Sequence, residues 1–213
     1  MSYTAMANDV LDFLDQHDLQ QVVLVAHSMG GKVGQTLALQ HPDRVAGLVV
    51  LDMAPVAYQP EEPHWQAVTN IISNLQSIDV DSQPVPKQHV DKQLQKFIPD
   101  PALRGFCMTN WNAKTNQWGI PIQKISHQLN VLAAFDIHHQ DNNNNDNNTQ
   151  LQYHGDVFFI HGGQSKFVRH VHMETIAQFF PNHMLTTIRG AGHWVHAEAP
   201  DDTIALLKRY LDR

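Results

Sequence analysis

The amino-acid sequence is poor in cysteine, in basic side chains and in long apolar runs, and each shortage excludes a class of protein. Cys107 is the single cysteine among 213 residues, which rules out an internal disulfide and is typical of a reducing compartment. Lys and Arg total 14 against 21 Asp and Glu, and the net charge of −7 argues against nucleic acid or an anionic membrane as a partner. No apolar run approaches the roughly 18 residues of a membrane-spanning helix. We therefore expect a cytoplasmic protein without a membrane span.

Histidine is abundant, with 15 residues, but the pattern of a metal site is missing. The pairs His138-His139 and His170-x-His172 each offer two ligands, and no third ligand follows at a fixed spacing. Most of the other histidines stand singly among polar residues, as on a solvated surface. The sequence therefore predicts neither a metal site nor a cofactor.

The strongest pattern in the chain is an apolar run that is followed at once by glycines. Residues 22–26 are all apolar, which predicts a strand buried on both faces within a parallel sheet. Gly30 and Gly31 come next, and apolar side chains then recur with helical spacing until Pro42. Ser28 therefore lies on a sharp strand-to-helix turn, in an Ala-x-Ser-x-Gly sequence close to the nucleophile elbow Gly-x-Ser-x-Gly.

This turn suits a serine nucleophile. It lifts the Ser28 hydroxyl clear of the sheet, where a histidine can take its proton. The backbone N–H of Met29 begins the following helix and points toward a developing negative charge. We therefore assign Ser28 as the nucleophile and Met29 as an oxyanion-hole donor. The alternative is a chance match of this pentapeptide between a strand and a helix.

A base for Ser28 follows the last predicted strand. Residues 184–188 predict that strand, and a Gly-Ala-Gly loop after it carries His193. Since the carboxyl ends of parallel strands lie at one edge of a sheet, we expect His193 close to Ser28, as its general base. A loop histidine packed on Trp194 is the alternative.

The carboxylate that would orient His193 has several candidates. Residues 157–160 predict a strand whose following turn contains no acid, and Ser165 stands there where an aspartate would be expected. Asp156 lies at the amino end of that strand. Asp52 lies at the carboxyl end of the strand at residues 45–51 and keeps the chain order serine, acid, histidine. We therefore assign Asp52, with a turn-forming role as the alternative.

Composition divides the chain into regions. Residues 1–54 and 151–213 carry the strands and form the predicted α/β core, whereas residues 55–139 are rich in proline and short helical patterns, which predicts an inserted helical cap. Residues 140–150 lack any apolar side chain and predict a disordered asparagine-rich loop. Large apolar side chains of the cap line an acyl pocket or form the cap's own core, namely Trp65, Phe97, Phe106, Met108, Trp111 and Trp118.

In its motifs the chain resembles the α/β-hydrolase superfamily and, more closely, the small YbfF-type esterases. The segments that match are residues 27–32, 51–56, 162–168 and 191–198. The resemblance implies an α/β fold with a mostly parallel sheet, flanking helices and an inserted helical cap. It also implies action on acyl esters and acyl-CoA thioesters, with the acid at the position of Asp52.

The chain departs from this family at its start, because family members begin with several strands that are absent here. One loop among those strands carries a His-Gly motif whose backbone supplies the second oxyanion donor. We therefore expect the C-terminal part of an α/β-hydrolase fold with a halved oxyanion hole. We also expect an exposed sheet edge at residues 22–26 that is open to self-association.

The function that these observations favour is hydrolysis of carboxylic ester or thioester bonds in small acyl substrates by a Ser28-His193-Asp52 triad. Two other functions stay open. One is a non-catalytic or inactive α/β-hydrolase-like protein. The other is a related triad enzyme, such as a carbon–carbon hydrolase or a peroxidase-like protein.

Overall fold

The computed structural model of the protein describes residues 1–78, 85–135, 137 and 151–213. The chain divides into two compact units, of which the first is Met1–Ala57 with Ala134–Arg213 and the second is Tyr58–Ala133. The loop predicted at residues 140–150 lies outside the described residues, as do His138 and His139. Within the described ranges, every helix is too short or too polar to cross a lipid bilayer.

The helices and strands follow one another in a simple order. The first unit begins with α1 (Tyr3–Gln16), β1 (Val22–His27), α2 (Met29–Gln40) and, after a 3-10 turn, β2 (Val45–Leu51). The second unit contains α3 (Pro63–Gln76), α4 (Lys87–Leu94), α5 (Pro101–Met108), β3 (Trp111–Asn112), β4 (Gln117–Trp118), α6 (Ile122–His127) and α7 (Leu129–Ala133). The first unit resumes with β5 (Asp156–Gly162), α8 (Met173–Phe179), β6 (His183–Ile188), α9 (Val195–Glu198) and α10 (Pro200–Leu211).

Among its described residues, the first unit is built on a four-stranded sheet in the order β1-β2-β5-β6, in which every neighbouring pair is parallel. The predicted α/β class, with a parallel sheet and flanking helices, is confirmed. The two central strands, β2 and β5, supply fully buried side chains such as Val49 and Ile160. A cluster that includes these residues also contains Val195 of α9 and Tyr210 of α10. One face of the sheet is therefore covered by the end of the chain.

Helix α2 approaches the sheet closely because it carries glycines where it faces β1 and β2. A Cβ atom on Gly34 would lie 3.0 Å from Leu48 and 3.3 Å from the Cβ of Ala26. A Cβ atom on Gly31 would lie 3.1 Å from the Cβ of Met53. This close packing fixes the turn between β1 and α2, which contains Ser28.

Strand β1 differs from the expectation of a strand buried on both faces, and that prediction is wrong in the described structure. Leu24 and Ala26 face α2, whereas Val23 and Val25 are 43% and 48% exposed. Val23 and Val25 alternate with these residues and so lie on the face that α2 does not cover. Among the described strands, β1 also lies at the edge of the sheet, where an exposed edge was expected. An apolar run of five residues therefore indicated a strand here, but not the burial of both of its faces. Self-association along this edge stays a prediction.

The second unit has a core of its own, formed by α3 to α6 and a short hairpin. Its buried side chains are Leu75, Val85, Val90, Leu94, Ile98, Cys107, Met108, Trp111 and Ile122. The β3–β4 hairpin was not expected from the sequence. Asn116 has a φ of 52° there, in the left-handed region that asparagine tolerates, and its side-chain oxygen accepts from the backbone N–H of Val85 at 2.7 Å.

The six apolar residues considered for an acyl pocket differ in burial. Trp65, Met108 and Trp111 are buried within the second unit, and Trp118 is partly buried against its core. Phe97 and Phe106 are 53% and 51% exposed. The indole N–H of Trp111 donates to Val85 O at 3.2 Å, which is typical of a satisfied core tryptophan. The role of this unit as a cap over an acyl-binding site stays a prediction.

Candidate active site

The turn between β1 and α2 holds Ser28 in an unusual backbone conformation. Its φ is 54° and its ψ is −124°, a region that costs a non-glycine residue roughly 1–3 kcal/mol. The backbone N–H of Ser28 donates to Leu51 O at 3.1 Å, so the turn is tied to the end of β2. The Ser28 side chain does not cap α2. Its hydroxyl therefore stands at the carboxyl end of the sheet, free for other partners.

His193 is one of those partners. Its Nε2 lies 2.8 Å from Ser28 Oγ, and its Nδ1 lies 2.6 Å from Asp52 Oδ2. Because a carboxylate only accepts hydrogen bonds, Nδ1 carries the proton and Nε2 is left to accept from the Ser28 hydroxyl. The structure thus brings together the three residues assigned from the sequence. They form one continuous chain of hydrogen bonds from serine to carboxylate.

Asp52 is fully buried, and its carboxylate is surrounded by donors. Oδ1 accepts from the backbone N–H of Gly162 at 3.1 Å, and Oδ2 accepts from the Ser165 hydroxyl as well as from His193. The backbone N–H of Asp52 donates to Ile160 O at 2.9 Å, which continues the pairing of β2 with β5. Three donors offset the cost of removing the carboxylate from water.

Ser165 is a residue whose contact the sequence analysis missed. The sequence placed it where an aspartate would be expected, but gave no sign that its hydroxyl would bind Asp52. In the structure it donates to Asp52 Oδ2 and accepts from the backbone N–H of Phe167 at 3.2 Å. The Phe167 ring in turn lies against the His193 ring, with centroids 4.2 Å apart. The turn after β5 therefore supports the carboxylate and the imidazole together.

The loop that carries His193 packs very closely on the turn after β5. A Cβ atom on Gly162 would lie 1.9 Å from Gly192 O, so only glycine fits at residue 162. The backbone N–H of Gln164 donates to Ala191 O at 2.9 Å across the same contact. These two contacts fix the height of the His193 loop above the sheet.

His27 is a second residue that sequence reasoning did not single out. Its Nε2 donates to the backbone carbonyl of His193 at 2.9 Å, and its ring contacts those of His193 and His196. Burial lowers the pKa of His27 to about 4, and the neighbouring charges of His193 and His196 act in the same direction. The hydrogen bond to His193 O and the Asp52 charge oppose this shift. His27 is therefore neutral at neutral pH.

Met29 is the first residue of α2. Its backbone N–H has no acceptor within the helix, as at every helix start, and it lies at the positive end of the helix dipole. It directly follows Ser28, so it lies beside any carbonyl that Ser28 attacks. Within the described part of the chain, no group of three or more His, Cys, Asp or Glu side chains is arranged to hold a metal ion.

Curated proteins resemble the chain along nearly its whole length. It is 31% identical to the sn-1-specific diacylglycerol lipase ABHD11 of Mus musculus over 216 residues, which cover 99% of this chain and 65% of that protein. It is 27% identical to the esterase YbfF of Escherichia coli, covering 100% of this chain and 76% of that protein. The chain thus spans about two thirds of the length of the mouse relative.

The solved structure of a marine microorganism esterase superposes closely. Its TM-score is 0.88 at 30% sequence identity, over 98% of this chain and 77% of that one. The family model for the alpha/beta hydrolase fold matches residues 1–200. This match covers β1, the Ser28 turn, Asp52 and His193. The chain therefore belongs to the α/β hydrolase fold family.

Proposed function

We propose that the protein is a serine hydrolase that cleaves carboxylic ester bonds of acyl substrates. The observation that carries this proposal is the continuous hydrogen-bonded chain from Ser28 through His193 to the buried Asp52. In the proposed roles, Ser28 is the nucleophile, His193 the general base and acid, and Asp52 the group that orients His193. The mouse, bacterial and marine relatives are named as a lipase and as esterases, which supports the same reaction class.

The first half of the reaction forms an acyl-enzyme. Ser28 Oγ attacks the substrate carbonyl carbon while its proton passes to His193 Nε2. The negative oxygen that develops accepts a hydrogen bond from the N–H of Met29, which is already oriented by α2. When the tetrahedral intermediate collapses, His193 returns that proton to the leaving alcohol or thiol. Asp52 stabilises the transient imidazolium, and the acyl group stays on Ser28.

The second half releases the acid. A water molecule takes the place of the leaving group, and His193 Nε2 removes one of its protons as the oxygen attacks the acyl-enzyme. The Met29 N–H again binds the oxyanion. Collapse returns the proton to Ser28 Oγ and frees the carboxylate. No redox step and no resident cofactor are needed for this sequence.

We propose small acyl substrates, with acylglycerols and acyl-CoA thioesters as the classes to test first. The mouse relative's name specifies a diacylglycerol lipase, which motivates the first class. The resemblance to YbfF-type esterases motivates the second. A reducing compartment such as the cytoplasm is proposed on the basis of Cys107, the single cysteine of the chain.

A fluorophosphonate probe tests the proposal, because it reacts with activated serines whatever their natural substrate. We expect the protein to be labelled on Ser28, identified by peptide mapping, and to hydrolyse a short p-nitrophenyl ester. Ser28→Ala should abolish both, whereas Ser77→Ala, which removes an exposed serine of the second unit, should change neither. Labelling that persists in Ser28→Ala, or folded wild-type protein that is never labelled, would contradict the proposal.

A further inference from the structure

The peptide groups around His193 are held by side chains that have no place in the reaction itself. The Glu198 carboxylate accepts from two backbone groups, from Gly192 N–H at 2.6 Å through Oε2 and from Trp194 N–H at 3.0 Å through Oε1. The carbonyl of His193 accepts from His27 Nε2 at 2.9 Å. The N–H groups on either side of His193 and its own carbonyl are thus all engaged.

This loop needs such support because its sequence gives it little stiffness. Residues 189–194 lie between β6 and α9 and belong to neither a helix nor a strand, and Trp194 O alone among them accepts the first helical bonds of α9. Gly190 has a φ of 82°, and Gly192 removes a further side chain from the same turn. Glycine has the largest backbone freedom of any residue. A His193 ring held 2.8 Å from Ser28 Oγ therefore requires fixed points close to its own Cα.

Glu198 has the reach and the position to provide two of these points. It is the last residue of α9, a helix of 4 residues that begins directly after Trp194. The Glu198 N–H donates to Trp194 O at 2.8 Å while its side chain accepts from Trp194 N–H, so the single turn closes on itself. This reciprocal pattern resembles a capping box. The additional bond to Gly192 lies on the far side of His193, where a simple cap of α9 would not extend.

We propose that Glu198 is a positioning residue, whose carboxylate holds the peptide groups on both sides of His193 and so sets the ring against Ser28 and Asp52. This inference rests on the proposed hydrolase function. Two acceptor oxygens are required, since each N–H group takes one. A glutamine at residue 198 has a single acceptor, and its amide N–H₂ would face the other N–H. Glu198→Gln should therefore fail to restore what Glu198→Ala loses.

The test combines a kinetic and a spectroscopic measurement on the full chain. Glu198→Ala and Glu198→Gln should lower kcat on a short acyl ester by roughly 10- to 100-fold, with KM nearly unchanged, because a small displacement of a catalytic group costs this much. The downfield proton resonance of the His193 Nδ1–H, identified by its loss in His193→Gln, should broaden or shift in both variants. Glu174→Ala, which removes another exposed glutamate from a short helix, is the matched control and should alter neither.

Two results have distinct meanings. A lower melting temperature in Glu198→Ala, with kcat per folded molecule and the His193 resonance both unchanged, would show that Glu198 only caps α9 and would overturn the inference. Hydrolysis that survives in Ser28→Ala would instead refute the proposed function. In that case the His193 resonance still decides whether Glu198 positions the ring.

Discussion

The two units differ in where their chemistry-bearing side chains lie. In the first unit, Ser28, Asp52 and His193 all follow the carboxyl ends of parallel strands, and long-range hydrogen bonds join them. In the second unit, the polar groups of large aromatic side chains form hydrogen bonds within the core, as when the indole N–H of Trp111 donates to Val85 O. One unit thus places polar groups at a shared edge, and the other satisfies them internally.

The difference has a physical origin. Parallel strands end side by side, so residues that are far apart in the chain meet at one edge of the sheet. Short helices and a hairpin have no such edge, and their side chains pack into a local core such as that around Trp111. Substitutions at the sheet edge should therefore change chemistry more than stability. Substitutions in the core of the second unit should do the reverse.

The largest expected effect is that of Asp52→Asn, which tests the first half of this comparison. Asparagine keeps the shape of the side chain, but an amide N–H that faces His193 Nδ1 donates to it and favours the wrong tautomer. An amide oxygen in that place accepts from Nδ1–H but lacks the negative charge that stabilises the imidazolium. We expect kcat to fall by about 10⁴-fold, as in comparable triads. Circular dichroism should show an intact fold. Activity within tenfold of wild type would move the acid role to another carboxylate.

Trp111→Ala tests the other half. Its side chain is 4% exposed and packs edge-to-face on Trp118, with ring centroids 5.0 Å apart. We expect the free energy of unfolding to fall by roughly 3–5 kcal/mol, measured by urea denaturation. The kcat of the remaining folded protein on a short acyl ester should change far less than in Asp52→Asn.

Phe106→Ala is the control for that prediction. Because Phe106 is 51% exposed in the same unit, its replacement should lower the free energy of unfolding only slightly.

The same Trp111→Ala variant also tests the acyl pocket. A KM that rises for long acyl chains, but not for acetyl esters, would show that Trp111 lines an acyl pocket. Equal effects on both substrates would support its role in the core.

Ser165→Ala should have an intermediate effect on both properties, because Ser165 touches the buried carboxylate but not the reacting atoms. Loss of a hydrogen bond to a charged group costs about 1.5–3 kcal/mol. We expect kcat to fall about tenfold or more and the melting temperature to drop by several degrees. Ser165→Thr, which keeps the hydroxyl, is the conservative control. Unchanged kinetics and stability in Ser165→Ala would show that Gly162 and His193 suffice to hold Asp52.

A double variant sharpens this prediction by exchanging the two side chains. Ser165 and His193 both contact Asp52 Oδ2, so a carboxylate at residue 165 can reach the same region. Asp52→Ser combined with Ser165→Asp should therefore be more active than Asp52→Ser alone. Equal activity of the double variant and Asp52→Ser would mean that the turn after β5 cannot present an acid to His193.

The smallest effect concerns pH and His27. Its pKa of about 4 in the folded protein lies below the ordinary value of 6.5, so the folded state binds this proton less readily than the unfolded chain. The stability that neutral His27 contributes is complete above pH 6.5 and is lost as pH falls toward 4. The melting-temperature difference between wild type and His27→Asn should therefore shrink on acidification. A melting-temperature difference that stays constant between pH 6.5 and 4 would contradict the lowered pKa of His27. His41→Asn is the control variant for the same measurement.

Much of the fold could be predicted because its signals are local. The apolar runs at β2 and β5, the apolar and β-branched residues of β6 and the helical spacing after Ser28 are each contained in a short stretch of the chain. The same local signal was wrong about the burial of β1, since Val23 and Val25 are exposed and the packing of helices on each face of the sheet, which no local pattern gives, decides which side chains are covered. The β3–β4 hairpin also lacked a strong local signal, because each of its strands is 2 residues long.

The sequence by itself determined the types of side chain and the turn that presents Ser28, because an apolar run, small residues and a helix start are adjacent in the chain. It also ordered the candidates for base and acid along the chain. Only the tertiary structure decided which groups donate hydrogen bonds to the Asp52 carboxylate and which groups hold His193 in place. Ser165 and Asp52 are 113 residues apart, and His27 and His193 are 166 residues apart. Such contacts depend on the register of β2 against β5 and on the packing of the turn after β5 against the loop that carries His193. A pattern along the chain does not encode either of these, nor the direction in which a side chain points.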